Sequence, residues 1–436
     1  MKKTVLAVAL ALTCSLSVNA DDLGPDSVAG PLLNAPASQP VLNYDAESIT
    51  TAQWDSPENR HYTYANFDKV HPYPAYISKG LGAPVPLETV ENGEELLKDF
   101  RIKPWSDLPE LNLSDYMYHT RADALLVMKG GKIVFEAYPR QLGPDDQHTM
   151  MSSSKTMVAM VIMNLIDEGK LKLKTKIKDI IPELGSAFDG VTVHQALNMD
   201  VPMHFSEDYQ DPNSEGQRIF VAECWGEGCE KDLRGARGFL ADLKSDDPHN
   251  NPRNMTHYNS AVTSVLGWVV EEVTGMNYNS AVSYYLYKHV GAEHNGIGLN
   301  DQTGFGHASG YLAFTARDAA KIYSTIGNDG VAINGNRILP KGYVANVVDG
   351  DSEATNYQFG TESEWKYSHQ MVFNGKGGFA HMGYGGQIFY SNKDTGVTII
   401  QMSSIDTEGG AVTQNHAHAL LDMVDKINDL LKNEKV

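Results

Sequence analysis

Cysteine is scarce in this chain, with three among 436 residues. That leaves too few for a disulfide scaffold or a thiolate metal cluster. Basic residues are also in the minority, 35 Lys and Arg against 55 Asp and Glu. The formal charge of −20 argues against nucleic acid or an anionic lipid surface as a partner. Long apolar runs are missing as well, and the only sizeable one, Val5 to Leu12, stands at the start. It follows the basic Met1-Lys2-Lys3 and precedes Val18-Asn19-Ala20, a small-residue cleavage signal. This is the pattern of a secretory signal peptide over residues 1–20. Cys14 leaves a lipidated alternative, which Thr13 directly before it fits poorly. The chain is therefore expected to be periplasmic or secreted, without stable membrane insertion. Cleavage would remove Lys2 and Lys3 and take the charge from −20 to −22. Cys224 and Cys229 would remain, and in an oxidising compartment they read as a local disulfide.

Hydrophobic content of 42% and charged content of 21% suit a globular protein with a sizeable core. Residues 21–60 are rich in Pro, Asp, Ala and Asn and read as an extended arm. From residue 61 to 436 one domain is expected. Ala124 to Tyr138, broken by Lys129-Gly130-Gly131-Lys132, predicts a β-hairpin. Helical and loop character dominates from Met151 to about Lys341, with a helical lobe over roughly 156–340. Strands return at Met371 to Phe373, Gly386 to Tyr390 and Val397 to Ser403, and Ala417 to Lys432 predicts an amphipathic helix. The expected fold is α+β, with strands from both ends of the chain pairing in one antiparallel sheet.

The most informative motif is Ser152-Ser153-Ser154-Lys155, which opens a helical run from Met151 to Gly169. Ser152 and Lys155 are three apart and share one helix face. A hydroxyl at a helix N-terminus beside an amine is a way to make a nucleophile at neutral pH. Alone the tetrad is weak, because Ser152 also reads as an N-cap. Two further motifs follow, His257-Tyr258-Asn259-Ser260 before a helical run and His381-Met382-Gly383-Tyr384-Gly385-Gly386-Gln387 before a strand.

Tetrad, Tyr-x-Ser and His-x-Gly, in that order and each at an element boundary, resemble the motif set of class C β-lactamases and related serine hydrolases. Trp54 to Arg60, Glu207 to Pro212, Thr303 to Gly306 and Thr315 to Asp318 look like the 6-aminohexanoate-dimer hydrolase branch. The resemblance implies a β-lactamase/transpeptidase-like fold, a sheet domain beside an all-helical lobe. It implies Ser152 as nucleophile, with Lys155 and Tyr258 handling protons and leaving open which of them is the base. The backbone N–H groups of Ser152 and Tyr384 would form the oxyanion hole. Tyr209, Ser260, Ser309, His381, Gly383 and Gln387 would bind substrate. His381 stands where class C enzymes carry lysine, as in β-lactamase-fold carboxylesterases. The expected activity is hydrolysis of small esters or linear amides with no cofactor and no metal. The alternatives are a DD-peptidase or β-lactamase, and a non-catalytic binding module on the same fold.

Overall fold

The computed structural model describes residues 49–104, 108–140, 142–208, 211–246, 256–356, 365–405 and 414–436. Two sheets organise it. Numbered along the chain, the strands are β1 (Pro74–Ile77), β2 (Ala122–Lys129), β3 (Lys132–Ala137), β4 (His148–Thr149), β5 (Gly296–Leu299), β6 (Ala313–Phe314), β7 (Thr355–Asn356), β8 (Lys366–Ser368), β9 (Met371–Phe373), β10 (Gly378–Gly383), β11 (Gln387–Asn392) and β12 (Val397–Ser403). The large sheet runs β3-β2-β12-β11-β10-β9-β8-β7, with antiparallel pairing throughout. β2 pairs with β12, Lys129 opposite Val397, so strands from the two ends of the chain sit side by side as expected.

Gly130 and Gly131, with φ of 59° and 83°, supply the left-handed pair that a two-residue hairpin turn requires. The helices Ala316–Gly327 and Gln414–Leu431 both pack on β11 and β12. Every residue of β2, β11 and β12 is buried, so the sheet is covered on both faces. The second sheet, β1-β5-β6-β4, has strands of two to four residues and left no clear pattern in the sequence.

Between these strands lie the helices Lys155–Asp167, Val193–Leu197, Glu215–Ala222, Ala236–Ala241, Ser260–Thr274 and Tyr278–Tyr285. The helix Lys155–Asp167 buries ten of its thirteen residues and packs against Ser260–Thr274. Burying the apolar side chains of such a helix stabilises the fold by roughly 1.5–3 kcal/mol each. Residues expected in the N-terminal arm enter the core here: Trp54 is 5% exposed and Arg60 3%, and a short helix runs Arg60–Thr63. Residues 1–48, including the signal-like segment, lie outside the described residues. Among the described residues no helix is long and apolar enough to cross a membrane.

Candidate active site

The chain enters the helix Lys155–Asp167 through a single 3₁₀ turn, Met151–Ser154. Met151 has φ of 47°, an uncommon conformation for a non-glycine residue, of the kind that gathers at functional sites. The turn leaves Ser152 half-buried at the surface of a cavity and Lys155 fully buried beneath it. Lys155 Nζ lies 2.9 Å from Ser152 Oγ and 3.1 Å from Ser260 Oγ, and it donates to the Ser309 carbonyl. It also stands 5.4 Å from the centroid of the Tyr258 ring. Burial lowers the Lys155 pKa to about 8, against the opposing pull of Glu207 and Glu223. An amine at that value is in part neutral near physiological pH, which is what a general base requires.

Ser260 begins the helix Ser260–Thr274, whose N-cap is Asn259, its side chain accepting from the Val262 amide at 2.9 Å. The Ser260 amide donates to the Glu207 carboxylate. The cap fixes the helix start, and with it the hydroxyl that Lys155 contacts.

Strand β10 closes the other side. Ser153 Oγ donates to the His381 carbonyl at 2.9 Å. At Gly383 a Cβ would come within 2.6 Å of the Met150 carbonyl, so only glycine lets the strand approach the nucleophile turn this closely. Tyr384 follows β10 directly and lines the cavity together with Ser152. Its hydroxyl accepts from Arg60 at 2.9 Å, and Arg60 also holds Asp55 and the Ile405 carbonyl.

The cavity is lined by Trp54, Asp55, Ile219, Phe220, Glu223 and Tyr311 along with the groups above. Trp54 packs on Trp225 with ring centroids 4.4 Å apart, and Trp225 on Tyr311 at 5.3 Å. Cys224 and Cys229 form the expected disulfide. It closes the loop that carries Trp225 and immediately follows Glu223, which is 1% exposed and accepts from Ser264 Oγ at 3.3 Å. Burial pushes the Glu223 carboxyl up to about 8. Where it is ionised, its charge favours the Lys155 ammonium.

Of the residues expected at the site, Ser152, Lys155, Tyr258, Ser260 and Ser309 come together around the Lys155 amine. Ser309 does so through its backbone carbonyl. Gly383 and Tyr384 adjoin this group. Tyr209 lies outside the described residues. Gln387, expected to line the pocket, is fully buried behind it. Its amide is spent on the Tyr384 and Ser403 carbonyls and the Ser403 N–H, so it pins the turn bearing Tyr384. His381 is also buried, 2% exposed, with Nδ1 2.8 Å from the Met382 carbonyl. Its ring lies 6.3 Å from that of Tyr258. Burial and the Lys155 charge lower its pKa to about 3, so it is a neutral imidazole and no substitute for a lysine cation. Sequence reasoning missed Trp54, Asp55, Glu207, Glu223 and Tyr311.

Comparison with known proteins accords with this geometry. The beta-lactamase family model matches residues 105–423. A 6-aminohexanoate-dimer hydrolase from Paenarthrobacter ureafaciens is 34% identical over 299 residues, covering 67% of this chain and 75% of that protein. A Bacillus anthracis structure described as a candidate 6-aminohexanoate-dimer hydrolase superposes with a TM-score of 0.75 at 22% identity, covering 89% of this chain and 99% of that one. EstCE1, a hydrolase with promiscuous acyltransferase activity, gives a TM-score of 0.55 at 14% identity, covering 71% of this chain and 95% of that one. A penicillin-binding protein from Bacillus halodurans gives 0.51 at 17%, covering 71% and 98%. The structural likenesses establish a shared fold.

Proposed function

The chain belongs to the beta-lactamase family, and from that premise we propose that it is an exported hydrolase that forms an acyl-enzyme on Ser152. Its substrates are small esters or linear amides. The observation that carries the mechanism is the 2.9 Å contact between Lys155 Nζ and Ser152 Oγ at a fully buried amine. Neutral Lys155 takes the Ser152 proton as Oγ attacks the carbonyl carbon. The oxyanion is held by the N–H groups of Ser152 and Tyr384, each such donor contributing roughly 3–4 kcal/mol. Tyr258, beside the lysine, passes the proton to the departing alcohol or amine. Water then attacks the acyl-enzyme, releasing the acid and restoring the serine hydroxyl.

Support for export comes from the signal-like first twenty residues and from the Cys224–Cys229 disulfide, which suits an oxidising compartment. Support for linear amides comes from the Paenarthrobacter relative, whose name specifies the 6-aminohexanoate dimer. The test is turnover of a p-nitrophenyl short-chain ester and of that dimer, together with labelling by a serine-reactive phosphonate read by intact mass. A single phosphonate adduct and ester turnover are expected. An unlabelled, inactive protein would favour the binding-module reading.

Two further outcomes follow from the site. A fluorescent penicillin is expected to label the protein poorly, because neutral, buried His381 offers no cation to its carboxylate; stoichiometric labelling on a gel would restore the DD-peptidase alternative. Replacing Glu223 by glutamine removes a negative charge that favours the Lys155 ammonium. Burial keeps that carboxyl protonated up to about 8, so the two profiles coincide below neutrality and the variant's kcat/KM levels off at a lower pH than the wild type's. A pH–rate profile on the ester reads this, and a superimposable profile would show that Glu223 does not act on Lys155.

A further inference from the structure

Away from the cavity, three segments distant in sequence bring two histidines and a carboxylate together. His194 lies on the helix Val193–Leu197, Asp351 on the segment before β7, and His369 in the turn joining β8 to β9. One ligand atom from each falls within 4.8 Å of the other two. We propose that His194 Nε2, Asp351 Oδ2 and His369 Nδ1 form a binding site for one divalent transition-metal ion of the zinc class, separate from the catalytic centre.

The spacing is that of ligands around one ion. Zinc sits about 2.0–2.1 Å from nitrogen and oxygen ligands, which sets tetrahedral neighbours roughly 3.3 Å apart. Here Asp351 Oδ2 is 3.0 Å from His194 Nε2 and 3.7 Å from His369 Nδ1. The surroundings match as well. Glu353 Oε2 lies 3.3 Å from His194 Nδ1, and with the ring proton on Nδ1 this is the carboxylate–histidine arrangement that supports metal-bound imidazoles. His194 Nε2 then faces a carboxylate oxygen with a lone pair. Two such atoms at 3.0 Å need a positive charge between them, supplied either by a second ring proton or by a metal ion.

Asn198 Nδ2 and Ser368 Oγ each donate to Asp351 Oδ2 at 2.7 Å and orient the carboxylate. His369 is fully buried, and its Nδ1 lies 2.7 Å from Ser368 Oγ, a contact that a bound ion would displace; its Nε2 has no hydrogen-bond partner among the described residues. It reaches that position from a turn in which both His369 and Gln370 have positive φ, 50° and 58°. Two imidazoles with one carboxylate favour zinc, cobalt, nickel or copper over magnesium or calcium. An ion here would tie the chain on either side of residues 357–364 to the helical lobe. The adjoining Tyr367 packs edge-on against the rings of both Tyr258 and His381, each at 6.2 Å. The ion's effect is therefore on the stability of the wall behind Tyr258, with no part in the chemistry at Ser152.

The experiment uses chelator-treated full-length mature protein titrated with zinc by calorimetry, with metal analysis of the product and melting temperature in parallel. One equivalent is expected, with a melting temperature raised by several degrees. His194→Ala and Asp351→Asn should each weaken binding at least tenfold, while His204→Ala should leave it unchanged. Cobalt(II) in place of zinc should give visible ligand-field bands, a readout on the unmutated protein that holds even if a variant fails to fold. Absence of stoichiometric binding, or binding that survives both His194→Ala and Asp351→Asn, overturns the proposal. The first of these results would identify the charge between His194 and Asp351 as a proton.

Discussion

Ser152→Ala lowers ester turnover by roughly 10⁴–10⁶-fold and removes the phosphonate adduct, with the melting temperature close to that of the wild type. The large loss is expected because the other groups around Lys155 act only on a proton that Ser152 releases. Ser260 and Ser309 contact the same amine, but Ser260 is 8% exposed at a helix start and Ser309 contributes its carbonyl. Neither replaces the serine that the strained Met151 turn presents to the cavity. Little stability is at stake, since Ser152 is half-buried and its hydroxyl makes one recorded hydrogen bond, to Lys155. Intact mass after phosphonate treatment checks the assignment directly. A variant that still takes up one equivalent would place the nucleophile elsewhere, with Ser153 and Ser154 the neighbours to examine.

Lys155→Ala and Lys155→Arg both reduce kcat/KM by about 10²–10⁴-fold, the range of general acid–base catalysis. The arginine variant separates base from charge, because a guanidinium keeps the positive charge and does not release its proton. In the wild type, kcat/KM climbs with pH and levels off above about 8, where burial has set the Lys155 pKa. The sign follows from the role: the neutral amine is the active form, so activity is lost as pH falls and the ammonium fills. Retention of substantial activity in Lys155→Arg would transfer the base role to Tyr258. Glu223→Gln acts on the upper end of the same limb, and so tests whether the charge of the buried acid reaches the lysine.

Residues that work through local spacing were legible in the sequence. Ser152 and Lys155 are one helical turn apart, the Tyr258 motif stands directly before the helix that Ser260 begins, and Gly130-Gly131 forms its turn without help from distant residues. The pairing of β2 with β12 was also accessible, because two covered strands need each other's hydrogen bonds. The walls of the cavity were not. Trp54 and Asp55 sit in a stretch that looks like a loose arm and enter the site only through packing on Trp225 and pairing with Arg60. Glu223 was hidden beside a cysteine of the expected disulfide, and nothing local announces that its carboxyl is buried in the cavity wall. Gln387 was misplaced because it follows the glycines after Tyr384. Opposite Gly383 on β11, its side chain turns inward to the backbone at Ser403 rather than into the cavity.

The pairing of Lys129 with Val397 also dictates when this molecule can acquire its shape. As the chain leaves the ribosome, β2 and β3 emerge early, and the open flank of β2 has no mate until the distant β12 follows. Joining such remote segments is entropically slow, and an unmated strand edge invites association with other chains. A chain cut short before Val397 is therefore an adhesive fragment, and the central sheet closes only once β12 has been made.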